Sequence, residues 1–188
     1  MGVPVADDFS ITTDEVPDPG PREFVVRVTM LSLDPAMRGW MDDRPSYLPP
    51  IGIDEVMRAG AVGEVVASNN ARFPVGTLVS GTFGVQEYAV SDGSGVTRVD
   101  TALGTPSMYL GVLGMTGMTA YFGLFEHGRP RAGDTVLVSA AAGAVGSIVG
   151  QLAAINGCRV VRVAGGPDKC AYVTDELGFH AAVDYKDP

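Results

Sequence analysis

The stretch "VLVSAAAGAVGSIVGQLAAINGCRVVRVAGGPDKC", Val136 to Cys170, decides the fold of the second half of the chain. An apolar run leads through four small residues and two spaced glycines into a helical pattern and a second apolar run. With its flanks, the pattern predicts alternating strands and helices. These are the strands Thr135–Ser139, Arg159–Val163 and Ala181–Val183 and the helices Val145–Ile155 and Asp168–Leu177. The order β-α-β-α-β requires a parallel sheet with right-handed crossovers, in which we expect the first strand to be buried.

The loop Ala140 to Gly146 has the spacing of a dinucleotide-binding loop. Gly143 and Gly146 occupy the second and third glycine positions of G-x-G-x-x-G, and Ala141 occupies the first. The second position lets backbone approach a pyrophosphate, the third lets helix pack on strand, and the helix N-terminus offers free N–H groups to the anion. Such a loop can also serve packing alone, but its place within a βαβ unit favours dinucleotide binding.

The end of the second strand indicates which dinucleotide is bound. An NAD site carries Asp or Glu there for the ribose 2′-hydroxyl, whereas this chain has Ala164, Gly165 and Gly166. We therefore expect no carboxylate to repel a 2′-phosphate, and Lys169 can supply a point charge to it. NADP is favoured over NAD, although Lys169 can also be read as an ordinary solvated helix residue.

Composition excludes several classes of function. The 188 residues carry a net charge of −9, with 22 acidic and 13 basic side chains, which opposes binding to nucleic acid or an anionic membrane. No apolar run reaches membrane-spanning length, and the start "MGVPVADDF" lacks the features of a signal peptide, so we expect a cytoplasmic protein. Cys158 and Cys170 are expected to be reduced thiols without a metal, and His127 and His180 surface residues.

The first half of the chain has a different texture, with short β-type runs separated by Pro and Gly. The predicted strands are Phe24–Leu33, Ala61–Ser68, Leu78–Gly81 and Val85–Val90. These runs predict an all-β domain over residues 1–107. A second domain over residues 108–188 would begin with an apolar helix at 108–127, loosened by several glycines.

Four segments together resemble a known family. They are "LSLDPAMRGWM" (Leu31 to Met41), "LGMTGMTAYFGL" (Leu113 to Leu124), "GDTVLVSAAAGAVGSIVGQLA" (Gly133 to Ala153) and "AGGPDKCAYVTDELGFHAAVDYK" (Ala164 to Lys186). The chain resembles the zinc-independent medium-chain dehydrogenase/reductases, in the branch of prostaglandin reductase, leukotriene hydroxydehydrogenase and alkenal reductase. The resemblance implies an incomplete GroES-like β-barrel followed by an incomplete Rossmann domain, a doubly wound parallel sheet. It also implies NADPH-dependent reduction of the C=C bond of α,β-unsaturated ketones or aldehydes.

The resemblance also implies roles for individual residues. Residues 142–145 would line the pyrophosphate, Met115 and Thr119 would face the nicotinamide, and Lys169 and Tyr185 would grip the 2′-phosphate. The full predicted NADP(H)-binding set is Met115, Thr119, Ala142, Gly143, Ala144, Val145, Gly146, Gly165, Lys169 and Tyr185. In the D-P-x-M-R element, Ala36 stands where relatives often have tyrosine, which implies a wider or less polar substrate pocket. Asp34 and Arg38 are expected to pair with each other, and no residue is nominated as a catalytic acid or base.

Zinc and chain length bear on the activity. The segment "MRAGAVGEVV" (Met57 to Val66), where zinc-dependent relatives place ligands, contains neither His nor Cys, so we expect no zinc.

The 56 residues from Gly133 to Pro188 suffice for half of a six-stranded doubly wound fold. We expect a fragment of a longer protein, or a homodimer or two-chain assembly paired across the bare edge of the first strand. Two alternatives to an enone or enal reductase stay open. The first is a catalytically inactive remnant that binds nucleotide or a partner, and the second is a quinone reductase.

Overall fold

The computed structural model describes residues 2–187, which fall into two compact units. The units are Met1–Leu110 and Gly111–Pro188, so the division lies three residues beyond the predicted boundary at residue 107. None of the helices in the described range is both long and apolar enough to cross a lipid bilayer.

The first unit is built on an antiparallel sheet, which confirms the prediction of an all-β first half. Its strands are β1 (Phe24–Leu31), β2 (Gly60–Ser68), β3 (Leu78–Thr82), β4 (Tyr88–Ser91) and β5 (Thr97–Arg98), in the order β4-β1-β2-β3-β5. Apolar side chains on one face of β1 and β2 form the core with Phe73, whose ring lies 4.7 Å from that of Phe24. The strand predicted to begin at Val85 begins only at Tyr88, because the Val85 N–H bonds instead to the Met57 carbonyl, at 2.8 Å.

The single tryptophan lies at the end of a short helix between β1 and β2. Helix α1 (Ala36–Trp40) ends with Trp40, whose indole ring lies 5.3 Å from the Arg58 guanidinium carbon. The Trp40 N–H is buried and has no acceptor in the described part of the chain. Short 3-10 turns at Ala6–Asp8 and Pro106–Leu110 complete the unit.

The second unit confirms the predicted β-α-β-α-β order. Its elements are β6 (Thr135–Val138), α3 (Ala144–Ile155), β7 (Arg159–Ala164), α4 (Pro167–Ala171) and β8 (Ala181–Asp184), with α2 (Met115–Phe122) before them. The three strands are parallel, in the order β6-β7-β8. Helix α2 packs against α3, and buried side chains from the sheet and helices, including Val160, Val173 and Phe179, form a second core.

Strand β6 lies at the edge of this sheet, as predicted, but the expectation that it is buried was wrong. Leu137 is 65% exposed and Thr135 is exposed, whereas Val138 is buried. Within residues 2–187 the strand pairs with β7 alone. Burial of a strand depends on the neighbours it acquires, so an apolar run by itself does not establish it.

The predicted helix over 108–127 is present only from Met115 onward, because the chain turns sharply near its start. The 3-10 turn Pro106–Leu110 is followed by a bend, α2 begins only at Met115, and a π-helical turn, Gly123–Gly128, follows. The Gly117 N–H donates to the Gly111 carbonyl across this bend. A Cβ on Gly117 would lie 1.8 Å from the Val112 carbonyl oxygen, so the bend requires glycine there. The predicted helix 168–177 likewise divides into α4 and a π-helical turn, Tyr172–Glu176.

Candidate cofactor-binding site

The loop between β6 and α3 makes a tight turn around one carbonyl oxygen. Ala140 has a left-handed backbone, with φ of 47°, and its carbonyl accepts a hydrogen bond of 2.8 Å from the Gly143 N–H. Gly143 is extended, with φ −83° and ψ 169°, and α3 begins at the next residue. The left-handed position falls on Ala140, one residue before the expected first glycine position at Ala141.

The two glycines of the loop meet different surroundings. A Cβ on Gly146 would lie 2.5 Å from the Ala140 carbonyl oxygen and 2.9 Å from the Ala141 Cα, both rigid backbone atoms. A Cβ on Gly143 would meet a single atom, the Ala140 oxygen at 3.1 Å. Gly146 therefore permits the close approach of α3 to the turn, while Gly143 leaves an open surface at the start of the helix.

The N-terminus of α3 presents unused hydrogen-bond donors. The N-cap Gly143 provides no side-chain cap, and within residues 2–187 the amides of Ala144, Val145 and Gly146 have no acceptor. The helix runs for 12 residues, so its dipole adds a partial positive charge at the same end. Because backbone donors and an open glycine surface coincide here, the residues fit the pyrophosphate of a dinucleotide.

The structure brings two of the predicted residues together at the end of β7. The Tyr185 ring covers Gly165 so closely that a Cβ there would lie 2.7 Å from the Tyr185 hydroxyl oxygen. Gly166 follows with φ of 93°, a backbone conformation that favours glycine. Lys169 is exposed on α4 and forms no ion pair within the described range, and Tyr185 is 66% exposed. Both side chains are accessible from solvent beside this turn.

A carboxylate that the sequence analysis did not anticipate lies at the same turn. The Asp184 Oδ1, at the end of β8, accepts hydrogen bonds of 2.9 Å from the Gly166 and Lys186 amides. These amides, Gly166 first, hold the pKa of Asp184 below its usual range. The expectation of no carboxylate at this turn holds for residues 164–166 but fails for β8. Since the carboxyl ends of parallel strands meet at one edge, "VDYK" offered a signal for this neighbour.

Helix α2 carries Met115 and Thr119 one turn apart. The Thr119 hydroxyl donates to the Met115 carbonyl oxygen at 2.7 Å, and both side chains are exposed, Met115 by 80%. The two residues predicted for the nicotinamide therefore share an exposed surface of this helix.

The contacts of the D-P-x-M-R element contradict the expectation that Asp34 pairs with Arg38. Arg38 forms its ion pair with Asp42, at 2.7 Å, and also donates to the Gly2 carbonyl oxygen. Asp34 accepts a hydrogen bond of 2.8 Å from the Ser32 hydroxyl. Asp34 and Asp42 both lie four residues from Arg38, so the spacing alone allows either pair, and the Asp34 carboxylate is instead engaged by Ser32. Ala36 begins α1 and is partly buried.

Other reactive side chains are dispersed. No group of three or more His, Cys, Asp or Glu residues in the described range is arranged to hold a metal ion. Cys158 is buried, Cys170 is half-buried and both thiols are free. His127 and His180 are exposed, and the His180 Nδ1 accepts a hydrogen bond from the Val160 N–H. No catalytic residue emerges from this set.

Comparison with known proteins identifies similar chains. Residues 1–99 match a family model described as the N-terminal domain of oxidoreductase. The chain is 46% identical to the NADPH-dependent curcumin reductase of Escherichia coli over 98% of its own length and 53% of that protein. It is 39% identical to prostaglandin reductase 1 of Mus musculus, over 98% of this chain and 55% of that protein. The chain thus spans about half the length of these curated relatives.

A solved structure agrees with the same relationship. The crystal structure of CurA from Vibrio vulnificus in complex with NADPH superposes with a TM-score of 0.90 at 48% sequence identity. The match covers 98% of this chain and 55% of that one. It therefore includes both units described above.

Proposed function

This chain belongs to the zinc-independent medium-chain dehydrogenase/reductase family, and on that premise we propose that it carries the NADP(H)-binding half of an oxidoreductase. The proposed reaction reduces the C=C bond of α,β-unsaturated ketones and aldehydes. The observation that carries the proposal is the N-terminus of α3, where three free amides and the open surface of Gly143 fit an anionic bridge. The relatives named as NADPH-dependent, and CurA with bound NADPH, support the choice of cofactor.

In this proposal the second unit is the first half of a Rossmann domain. Its parallel order β6-β7-β8 and the glycine loop at the carboxyl end of β6 support that interpretation. The first unit is proposed to be the GroES-like part, since the matched family model covers residues 1–99. The exposed edge of β6 is where a further strand of the sheet would pair.

The proposed roles follow from the contacts of each residue. The free amides of Ala144 and Val145 hold the pyrophosphate, Ala142 and Gly143 line it, and Gly146 keeps the helix close to the turn. Met115 and Thr119 offer the exposed surface of α2 to the nicotinamide. The bound nicotinamide supplies the electrons for the reduction, so this chain's contribution is to bind and orient it.

The preference for a 2′-phosphate is assigned to the turn after β7. Lys169 contributes a mobile positive charge, and Tyr185, packed over Gly165, contributes a hydroxyl group. Neither side chain is committed to an ion pair within residues 2–187, so both are free to bind an anion.

The experiment that tests the cofactor is a titration of NADPH and NADH, followed by nucleotide fluorescence. Wild type is expected to bind NADPH more tightly, and Lys169→Glu is expected to reduce that preference by at least tenfold. Arg159→Glu is the matched control, because it makes the same change of charge at the amino end of β7, where Arg159 is exposed. Equal affinity for the two nucleotides in wild type, or a preference that Lys169→Glu leaves undiminished, would refute the proposal.

Turnover separates the remaining alternatives. Oxidation of NADPH in the presence of a small alkenal supports enone reduction by this chain. Binding without turnover supports a non-catalytic nucleotide-binding chain, and faster turnover with a quinone than with the alkenal supports a quinone reductase.

A further inference from the structure

A positively charged side chain lies in the core of the second unit. Arg162 points from β7 to the same side as Val160 and Ala164, and its relative exposure is 0%. Among residues 2–187 it is the charged side chain that is buried, and its neighbours in this core are apolar side chains such as Val173. A guanidinium keeps its proton in this setting, since its pKa lies far above neutrality, although burial lowers the pKa of Arg162.

The guanidinium is only partly satisfied. Its Nη2 donates to the Cys170 carbonyl oxygen and, at 2.7 Å, to the Thr174 hydroxyl oxygen. Its Nε and Nη1 are buried and have no acceptor in residues 2–187. A buried charge with unmet donors is costly, and an apolar side chain of similar size would support the helix at a lower free-energy cost. The charge itself therefore requires an explanation.

The position of the Arg162 guanidinium suggests a reason for the buried charge. Arg162 and Thr174 both bond to the Cys170 carbonyl, directly before the point at which the helix continues as the π-helical turn from Tyr172. Cys170 directly follows Lys169, so the buried charge lies beneath the turn that displays the candidate phosphate-binding lysine.

Carboxylates outnumber Lys169 on the elements around this turn. Asp168 precedes it on α4, Asp175 lies on the π-helical turn, and Asp184 faces Gly166 from β8. Lys186, beside Asp184, is a second exposed lysine, and the two lysines still do not outnumber the three acidic groups. A further, buried positive charge is screened less by salt and acts through a medium of lower dielectric constant.

We propose that Arg162 is a specificity-determining residue for the 2′-phosphate of the cofactor, acting through its buried charge beneath Lys169. The inference rests on the proposed function and assigns part of the NADP preference to a side chain that does not touch the nucleotide. Arg162 compensates the surrounding carboxylates, and Lys169 provides the direct contact.

The test uses ligands of the adenosine half-site alone, adenosine 2′,5′-bisphosphate and 5′-AMP, titrated against the whole chain by calorimetry. Arg162→Met is expected to lower the ratio of the two affinities about tenfold, with 5′-AMP affinity little changed, because one positive charge acting at an effective dielectric of about 20 is removed. Thr174→Val is the control, because it removes the hydrogen-bond partner of Arg162 and keeps the charge. It is expected to leave the ratio unchanged.

Each outcome bears on the inference. Equal losses for both ligands in Arg162→Met would show a merely structural role and overturn it, as would an unchanged ratio. A wild-type chain without preference for the bisphosphate would overturn the proposed cofactor and the inference with it.

If Arg162→Met does not fold, Lys169→Ala decides, since Lys169 is exposed. A residual preference that persists in high salt supports the buried charge, and its complete loss in salt contradicts it.

Discussion

Replacing Gly146 by alanine tests the geometry of the turn at the start of α3. The new Cβ would lie 2.5 Å from the Ala140 carbonyl oxygen, 2.9 Å from the Ala141 Cα and 3.0 Å from the Ala140 carbonyl carbon. All three are backbone atoms of a turn that is held by the Gly143 hydrogen bond. No side-chain rotation can relieve these contacts, so the helix must move away from the turn.

The expected cost follows from opposing terms. Forcing a methyl group into a packed site costs about 1–3 kcal/mol, and contact with rigid backbone places Gly146→Ala at or above the upper end. The better helix propensity of alanine offsets up to about 1 kcal/mol. The net loss of unfolding free energy is therefore about 2 kcal/mol, or roughly 10 °C in the melting temperature of a unit of this size.

The assay is thermal unfolding followed by far-ultraviolet circular dichroism, with Gly143→Ala as the matched control. A Cβ on Gly143 would meet only the Ala140 oxygen, at 3.1 Å, and the backbone there is extended, so stability is expected to change by less than about 1 kcal/mol. Gly143→Ala should instead weaken NADPH binding, because the methyl group occupies the open surface proposed for the pyrophosphate. If Gly146→Ala melts within about 2 °C of wild type, the packing argument is wrong.

Three further predictions concern other contacts. Ala140→Gly should raise the unfolding free energy by about 0.5 kcal/mol in urea melts, since φ of 47° strains a residue with a side chain; a loss of stability would contradict this. Gly150→Ala should lower the unfolding free energy by about 2–3 kcal/mol, because its Cβ would lie 1.9 Å from the Phe179 ring. In a double-mutant cycle, Phe179→Leu in the same chain should recover part of that loss. Asp184→Asn should be less stable than wild type at pH 7, because the Gly166 amide lowers the pKa of the Asp184 carboxyl. The difference in unfolding free energy should close as the pH falls below about 4 through that lowered pKa. A difference that does not depend on pH would rule out the carboxylate as its source.

The order of elements was predictable because its signals are local. Apolar periodicity separates strand from helix, and the glycines at 143 and 146 mark the turn between them. The spacing of Arg38 also predicts a carboxylate partner four residues away, but Asp34 and Asp42 both meet that spacing, so the sequence did not distinguish between them.

The remaining features depend on contacts between distant residues. The break in the helix after Ala171 lies beside a hydrogen bond from Arg162 on another element, and Asp184 reaches Gly166 only when β8 lies beside β7. The exposure of Leu137 depends on which strands flank β6. Apart from the position of Asp184 at the carboxyl end of its strand, propensity and spacing carry no information about these neighbours, so the contacts around the candidate site could not be derived from its motif.

The position of Trp40 has a practical consequence for spectroscopy. As the sole indole of the chain, it confines intrinsic tryptophan emission to the first unit, beneath the stacked Arg58. A shift in its emission maximum would report loosening around α1, while events in Gly111–Pro188 would register through tyrosine or an added chromophore. The molecule thus carries a built-in optical label that distinguishes melting of one half from melting of the other.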